Sequence, residues 1–428
     1  MVKPAHEDER FMAAALRLSR RNLGRTGTNP SVGCVIVNEG MIVGRAVTAS
    51  GGRPHAETQA LAEAGEKARG ATAYVTLEPC SHHGKTPPCT DALIASGVAR
   101  VVVAILDPDE RVAGRGIVLL REAGIAVDIG VLREEGERAL QAYLMRQCKK
   151  RPHVTLKLAV SNDGMIGRRG EGQVRITGAV SRAQVQILRA ETDAILVGIG
   201  EGQVRITGAV FRAQVQILRA ETDAILVGIG TASADDPELT VRMQGLEDRS
   251  PVRIVLDRRL ELPIESKLVR SAGEVSLIVV AGDAGSPSPR MRVEGERRAD
   301  EGQVSGVSLP LTPTLSPVAG RGGDYEARRD VLVSAGVEIL NADNIPDLLA
   351  ALASRGISSL LVEGGSSAAR AFLDVELVDR ILLFTGPSPI GKGGIPSPFQ
   401  RRSVPAGFTL QRTARYGDDI FEEYERDI

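Results

Sequence analysis

An α/β fold in two consecutive domains is what this sequence predicts. Apolar segments of helical and strand character alternate along most of the chain. Glycines close many of them, and Arg151-Pro152 breaks the pattern once. At roughly 100–200 residues per domain, 428 residues suit two or three domains. Hydrophobic residues make up 43% and charged residues 25%, enough for ordinary buried cores. Aromatics are only 3% and Trp is absent, so Ala, Val, Leu and Ile must build those cores.

Residues 7–23 carry a helical pattern through Phe11, Met12, Ala15 and Leu16, stopped by Gly24. VGCVIV (32–37) reads as a strand, and Asn38-Glu39-Gly40 turns it into MIVG as a hairpin. ETQALAEAG (57–65) is predicted helical, AYVTLEP (73–79) a strand, and DALIASG (91–97) a helix closed by glycine. VVVAIL (101–106) is a buried strand, and a helix and strand follow over 114–129. The helix over 133–149 ends at Arg151-Pro152, because proline cannot continue it. This first domain spans 1–150, and the second is expected over 153–428. It opens with strand VTLKLAV (154–160) and the turn SNDG, followed by strands VRIVLD (252–257), SLIVV (276–280), SLLVEG (359–364) and RILLFTG (380–386).

Two features interrupt the second domain. EGQVRITGAVSRAQVQILRAETDAILVGIG at 171–200 recurs at 201–230, differing only at Ser181 and Phe211. Solenoids need three or more units, so two near-identical copies read as a tandem duplication. Only the second copy runs directly into TASADDP. It is therefore expected in the sheet, with the first copy looped out. Residues 283–325 are rich in Gly, Pro, Ser and Arg, lack either periodicity, and read as a disordered insert.

Lys plus Arg number 53 against 54 acids, a net charge of −1. A nucleic-acid binder usually shows a basic surplus and stacking aromatics, so a small substrate is expected instead. The N-terminus lacks a signal-type apolar run, and no stretch reaches membrane-span length. Four cysteines make no disulfide framework. The cytoplasm is the expected compartment.

Three pieces carry chemistry. His55-Ala56-Glu57 stands at a helix start, Pro79-Cys80 follows a strand, and Cys89 opens a helix after Pro87-Pro88. One His and two Cys can hold zinc and leave the fourth position to water, as a catalytic site requires. Glu57, two residues after a ligand, is placed to carry the proton from water to a leaving amine. The general H-x-E…P-C-x-x-C arrangement belongs to zinc nucleobase deaminases. Here eight residues separate the cysteines instead of two. A closed structural zinc site remains the competing reading. Cys34 reads as strand core.

TNPSVGCVIV, GGRPHAE and LEPCSHHGKTPPCTDALI resemble the deaminase half of the bifunctional riboflavin-biosynthesis deaminase–reductase family. VTLKLAVSNDG, LRAETDAILVGIGTASADDPELTVR and LLVEGGSS resemble its reductase half. The resemblance implies a cytidine-deaminase-like three-layer domain followed by a dihydrofolate-reductase-like α/β domain, with Zn2+ and NADPH as cofactors. The implied substrate is a diaminopyrimidinone bearing a ribosylamino 5′-phosphate. It would be deaminated hydrolytically, after which its ribosyl group would be reduced to a ribityl chain. Asn29, His82 and Lys85 are implied substrate contacts of the first reaction. For the second, Ala159, Arg205, Thr231, Asp235 and Gly365 would touch NADPH, with Arg258 a candidate for its extra phosphate. Gln203, Arg219, Leu239, Arg242 and Glu363 would touch the substrate. Composition alone would not name a reductase, since no G-x-G-x-x-G is present. Glu363-Gly364-Gly365-Ser366-Ser367 between strand and helix is compatible with a phosphate at a helix N-terminus. The partners expected are the phosphorylated pyrimidine and further copies of the chain, with no nucleic acid and no membrane. Alternatives are a monofunctional deaminase whose reductase half the duplication cripples, a tRNA deaminase, and a zinc-stabilised structural module.

Overall fold

Period-two alternation in the first strand decides how the N-terminal half is layered. A computed structural model describes residues 4–84, 86–168, 194–197, 224–229, 232–233, 236, 238–240, 250, 252–282, 321–363, 366–401, 403–416 and 418–427. In β1 (Gly33–Asn38), Gly33 presses on the backbone of α1 (Pro4–Ser19): a Cβ there would lie 2.0 Å from the Ala15 carbonyl oxygen. The next residue, Cys34, feels the charge of Glu57 in α2 (Ala56–Ala64), so the two helices cover opposite faces. β2 (Met41–Val47), β3 (Thr72–Leu77), β4 (Arg100–Ile105) and β5 (Ala126–Ile129) complete a sheet of order β2-β1-β3-β4-β5. β1 is antiparallel to β2 and β3, while β3, β4 and β5 are parallel. α3 (Cys89–Ser96) and α4 (Arg115–Glu122) make the two parallel crossovers, and α3 touches both α2 and α4. α5 (Arg133–Lys149) packs by Gly136 against Ala104 and Ile105 and touches α1. The result is a three-layer sandwich, as expected.

A second sheet of ten strands has the order β12-β11-β10-β9-β8-β13-β6-β14-β17-β16. Its seventh strand, β6 (His153–Val160), is flanked in parallel by β13 (Ser359–Glu363) and β14 (Arg380–Thr385). β10 (Val252–Leu256), β11 (Leu277–Ala281) and β12 (Val337–Asn341) extend it in parallel. β16 (Phe408–Tyr416) and β17 (Asp419–Arg426) close the other edge antiparallel. β7 (Met165–Arg168) and β15 (Gly394–Pro396) pair separately. Alternate residues serve two cores: Ile254, Ile278 and Val280 join Leu156 and Leu360, whereas Val255, Leu277 and Val279 join Leu260 and Leu268. α6 (Lys267–Arg270), α7 (Arg321–Ser334), α8 (Ile345–Ser354) and α9 (Ser366–Asp374) are the helices described in this half. No helix among the described residues is long and apolar enough to cross a membrane.

Two expectations are corrected. The irregular insert does not reach 325, because α7 begins at Arg321; residues 283–320 lie outside the described residues. The first repeat copy is not left out of the sheet. Its strand, β8 (Ala194–Val197), lies parallel to the second copy's β9 (Ala224–Gly228), with Ala194 opposite Ala224 and Val197 opposite Val227. β8 then pairs with β13, and β9 with β10. The physical reason is that an expelled AILV strand would lose its backbone partners and leave its apolar side chains uncovered. Inside the parallel sheet its backbone groups are paired on both edges.

His153, at the start of β6, is buried, and burial together with the charge of Arg380 holds its imidazole down to about 3. Arg151 adds to that effect, while Asp379 opposes it. Unfolded, the ring titrates near 6.5. Between these values the unfolded chain binds the extra proton. The contribution to stability is therefore complete above about pH 6.5 and is lost as the pH falls towards 3. His153→Phe should flatten the pH dependence of unfolding of this half by up to about 1.4 kcal/mol per pH unit. Thermal melts from pH 4 to 7 would check this, and an unaltered slope would exclude His153 as the titrating group.

Candidate metal centre and reductase site

The ends of α2, β3 and α3 bring the first site together. His55 is the residue before α2, in extended conformation, so its ring projects at the helix start. Its carbonyl accepts the Thr58 hydroxyl at 3.0 Å, which fixes the turn. Cys80 lies three residues beyond the end of β3, and its carbonyl accepts the Thr90 N–H at 3.2 Å. Cys89 opens α3, and its N–H points at Cys80 Sγ at 3.3 Å. Hydrogen bonding from Cys89 and His55 pulls the Cys80 thiol down to about 4, although burial opposes it. His55 Nδ1 stands 3.6 Å from Cys80 Sγ and 3.3 Å from Cys89 Sγ, and the three donor atoms lie within 4.8 Å of one another. Zinc bonds of about 2.0–2.3 Å would set nitrogen and sulfur donors of a tetrahedral site roughly 3.6 Å apart. The donor set and its spacing therefore fit zinc.

Glu57, in the first turn of α2, is 4% exposed. Burial, then the nearby Cys80 charge, pushes its carboxyl up to about 7. Cys34 is buried in the sheet, outside the donor cluster, and burial keeps its thiol protonated. Asn29 Nδ2 donates to the Gly52 carbonyl at 3.1 Å. Gly52 has φ +83°, and a Cβ there would come within 2.4 Å of that nitrogen, so only glycine admits the contact. His82 lines a cavity of about 600 Å³ with Ser81, Arg111 and Arg115, and its Nδ1 is buried without a partner among the described residues. Lys85 lies outside the described residues.

Glu78 carries a role that sequence reasoning missed. It is buried, and its carboxylate accepts the N–H groups of Asp107, Gly114 and Gly116 at 3.3, 3.0 and 3.1 Å. This ties the end of β3, just before Cys80, to the start of α4. Asp107 in turn accepts the Tyr143 hydroxyl at 2.9 Å, and burial raises its carboxyl to about 6.

In the second half, Ala159 sits on β6, in register with Phe384 and packed against the Phe384–Phe421 cluster. Glu363 ends β13 opposite Lys157, two residues from Ala159. α9 begins three residues after Glu363, so a strand end and a helix N-terminus lie close together in the chain. Leu239 is buried with φ +54°. Arg258 is exposed and donates from Nη2 to the Asp343 carbonyl at 3.0 Å. Gln203, Arg205, Arg219, Thr231, Asp235, Arg242 and Gly365 lie outside the described residues.

Comparison with known proteins agrees with both halves. The cytidine and deoxycytidylate deaminase zinc-binding region matches residues 5–105. The RibD C-terminal domain matches twice, over 152–207 and 200–421, restarting where the repeat restarts. The riboflavin biosynthesis protein RibD of Aquifex aeolicus is 34% identical over 421 residues, 98% of each chain. That of Escherichia coli is 36% identical over 396 residues, 90% of this chain and 89% of its own. The chain belongs to the RibD family. Two solved structures are similar along the whole length. Acinetobacter baumannii RibD has a TM-score of 0.73 at 29% identity, covering 99% of this chain and 100% of its own. The diaminohydroxyphosphoribosylaminopyrimidine deaminase/5-amino-6-(5-phosphoribosylamino)uracil reductase of Thermotoga maritima has a TM-score of 0.71 at 30% identity, covering 99% of each chain.

As a RibD chain, the protein is a bifunctional deaminase and reductase of riboflavin biosynthesis, with zinc serving the first half and NADPH the second. A match along both halves is what a bifunctional enzyme gives and a one-domain tRNA deaminase does not. The donor geometry leads to one expected result here. Cys80→Ala would leave two of the three clustered donors, and the zinc content of the chain should fall from roughly one ion per chain to less than about a tenth. Metal analysis after dialysis checks it, and full occupancy would exclude Cys80 as a ligand.

Proposed function

We propose that the deaminase unit, residues 1–150, removes one ring amino group from 2,5-diamino-6-ribosylamino-4(3H)-pyrimidinone 5′-phosphate. The reductase unit, 153–428, would then reduce the ribosyl group of the product to a ribityl chain. The single observation that carries the first step is a His/Cys/Cys donor set with a buried acid beside it. His55, Cys80 and Cys89 hold the zinc, which when bound supplies hydroxide at working pH. Glu57 is the proton carrier. Burial raises the carboxyl above the ordinary carboxylate range, which suits a group that takes a proton from water and returns it to the leaving amine. Asn29, with one amide hydrogen committed to Gly52, presents its Oδ1 and second hydrogen to the pyrimidine edge. His82 and Lys85, between the two cysteines in sequence, are the other proposed substrate contacts.

In the reductase unit, the proposed NADPH contacts are Ala159, Arg205, Thr231, Asp235, Arg258 and Gly365. The proposed substrate contacts are Gln203, Arg219, Leu239, Arg242 and Glu363. The working form is a cytoplasmic homo-oligomer, a state that sedimentation would read. One experiment tests the central reading. The zinc-loaded chain is given the diaminopyrimidinone phosphate, and ammonia release is followed before and after NADPH is added, with tRNA as the competing substrate. Ammonia from the pyrimidine, followed by NADPH oxidation, is expected. Ammonia from tRNA alone would overturn the proposal.

A further inference from the structure

Arg253, the second residue of β10, is completely buried, yet it forms no ion pair among the described residues. Burial draws its guanidinium down to about 10, with Glu274 opposing from a distance. Its partners are backbone and hydroxyl oxygens. Nη1 donates to the Glu238 carbonyl at 3.2 Å and to Ser271 Oγ at 2.7 Å. Nη2 donates to the Ser271 carbonyl at 2.9 Å and to the Val275 carbonyl. Ser271 caps the C-terminus of α6, where carbonyl oxygens carry partial negative charge, and Val275 leads into β11. One side chain thus joins the loop after β9 to the connection between α6 and β11.

The same loop has a second anchor two residues earlier. Asp236 Oδ1 accepts the Lys267 N–H at 2.7 Å, at the start of α6. Leu239, next to Glu238, is buried in the core formed with Leu260 and Leu268 and holds a positive φ that a leucine does not adopt unaided. An apolar side chain would fill the place of Arg253 without the desolvation cost of a charge. What it could not do is span three carbonyls, because only a planar fork of donors holds several acceptors in fixed geometry.

We propose that Arg253 is a positioning residue for the reductase, fixing the backbone at Glu238 and so the place of Leu239 against the substrate. This inference rests on the reading of Leu239 as a substrate contact of the reductase. The test uses the full zinc-loaded chain, in which deamination serves as an internal control. Arg253→Lys keeps the charge but lacks the fork. Its KM for the deaminated product should rise about tenfold or more, with kcat at saturation within about threefold and deamination unaltered. A merely structural role would lower the melting temperature and kcat while leaving KM in place, and that result overturns the proposal. Asp236→Ala releases the other anchor at a half-exposed side chain, so it remains readable if Arg253→Lys does not fold. It should raise the same KM, and an unaltered KM would again overturn the inference. Absence of NADPH oxidation by the unaltered chain is a separate outcome, which removes the reductase reading itself and Arg253's role with it.

Discussion

Glu57→Gln is expected to keep zinc at full occupancy and to lower deamination by roughly 10²- to 10⁴-fold, the range for loss of a positioned acid–base group. The substitution preserves size and removes only the ability to exchange a proton. Glu57 stands in the first turn of α2, two residues after His55, and is not among the three clustered donor atoms. Burial raises its carboxyl, and a buried acid must be either charged without water or protonated. A neutral amide in the same place should therefore cost little stability. Metal analysis, a melting curve and turnover on the same preparation separate the possibilities. Near-normal turnover in a zinc-loaded Glu57→Gln chain would rule out the proton-carrying role. Loss of zinc in that variant would make Glu57 a ligand. NADPH oxidation supported by pre-formed product should not alter, because that chemistry belongs to the other sheet.

The candidate donor cluster was legible because each of its residues marks a local boundary. His55 precedes a helix, Cys80 follows a strand, and Cys89 starts a helix, so chain order alone announces three converging ends. β12, β16 and β17, which carry charged residues, were not named from the sequence, whereas apolar strands such as β4 and β11 were legible because runs such as VVVAI and LIVV must be buried. Residues whose partners are distant in sequence were not. Glu78 reaches Asp107, Gly114 and Gly116, up to 38 positions away, and in sequence looks like any acid at a strand end. Arg253 resembles a polar residue on a half-exposed strand until Glu238, Ser271 and Val275 are seen around it. The repeat shows a further limit. Sequence order favoured the second copy, but identical strands compete equally for a parallel sheet, and hydrogen bonding admits both.

Deletion of residues 171–200 is expected to raise reductase kcat/KM about tenfold or more while leaving deamination as it was. The reason lies in the width of the sheet. β8 stands between β9 and β13, so it moves them apart by one extra strand spacing, about 4.8 Å. In sequence, Asp235 and Leu239 follow β9, and Gly365 follows β13. In the proposed site these must close on one cofactor and one substrate, and a misplacement of about 1 Å can already cost 10²-fold. Removing the first copy joins Gly170 directly to Glu201. β9 can then take the place of β8 without any altered contact in register, because Ala224, Ile225, Leu226 and Val227 repeat Ala194, Ile195, Leu196 and Val197. Its other edge keeps β10. Deleting 201–230 instead should give nearly the same protein, differing only in Ser181 where Phe211 would stand. NADPH oxidation and ammonia release, measured on the three chains side by side, decide the matter. If either shortened chain unfolds in its second half or ceases to oxidise NADPH, the ten-stranded sheet needs both copies and the extra strand is part of the working enzyme.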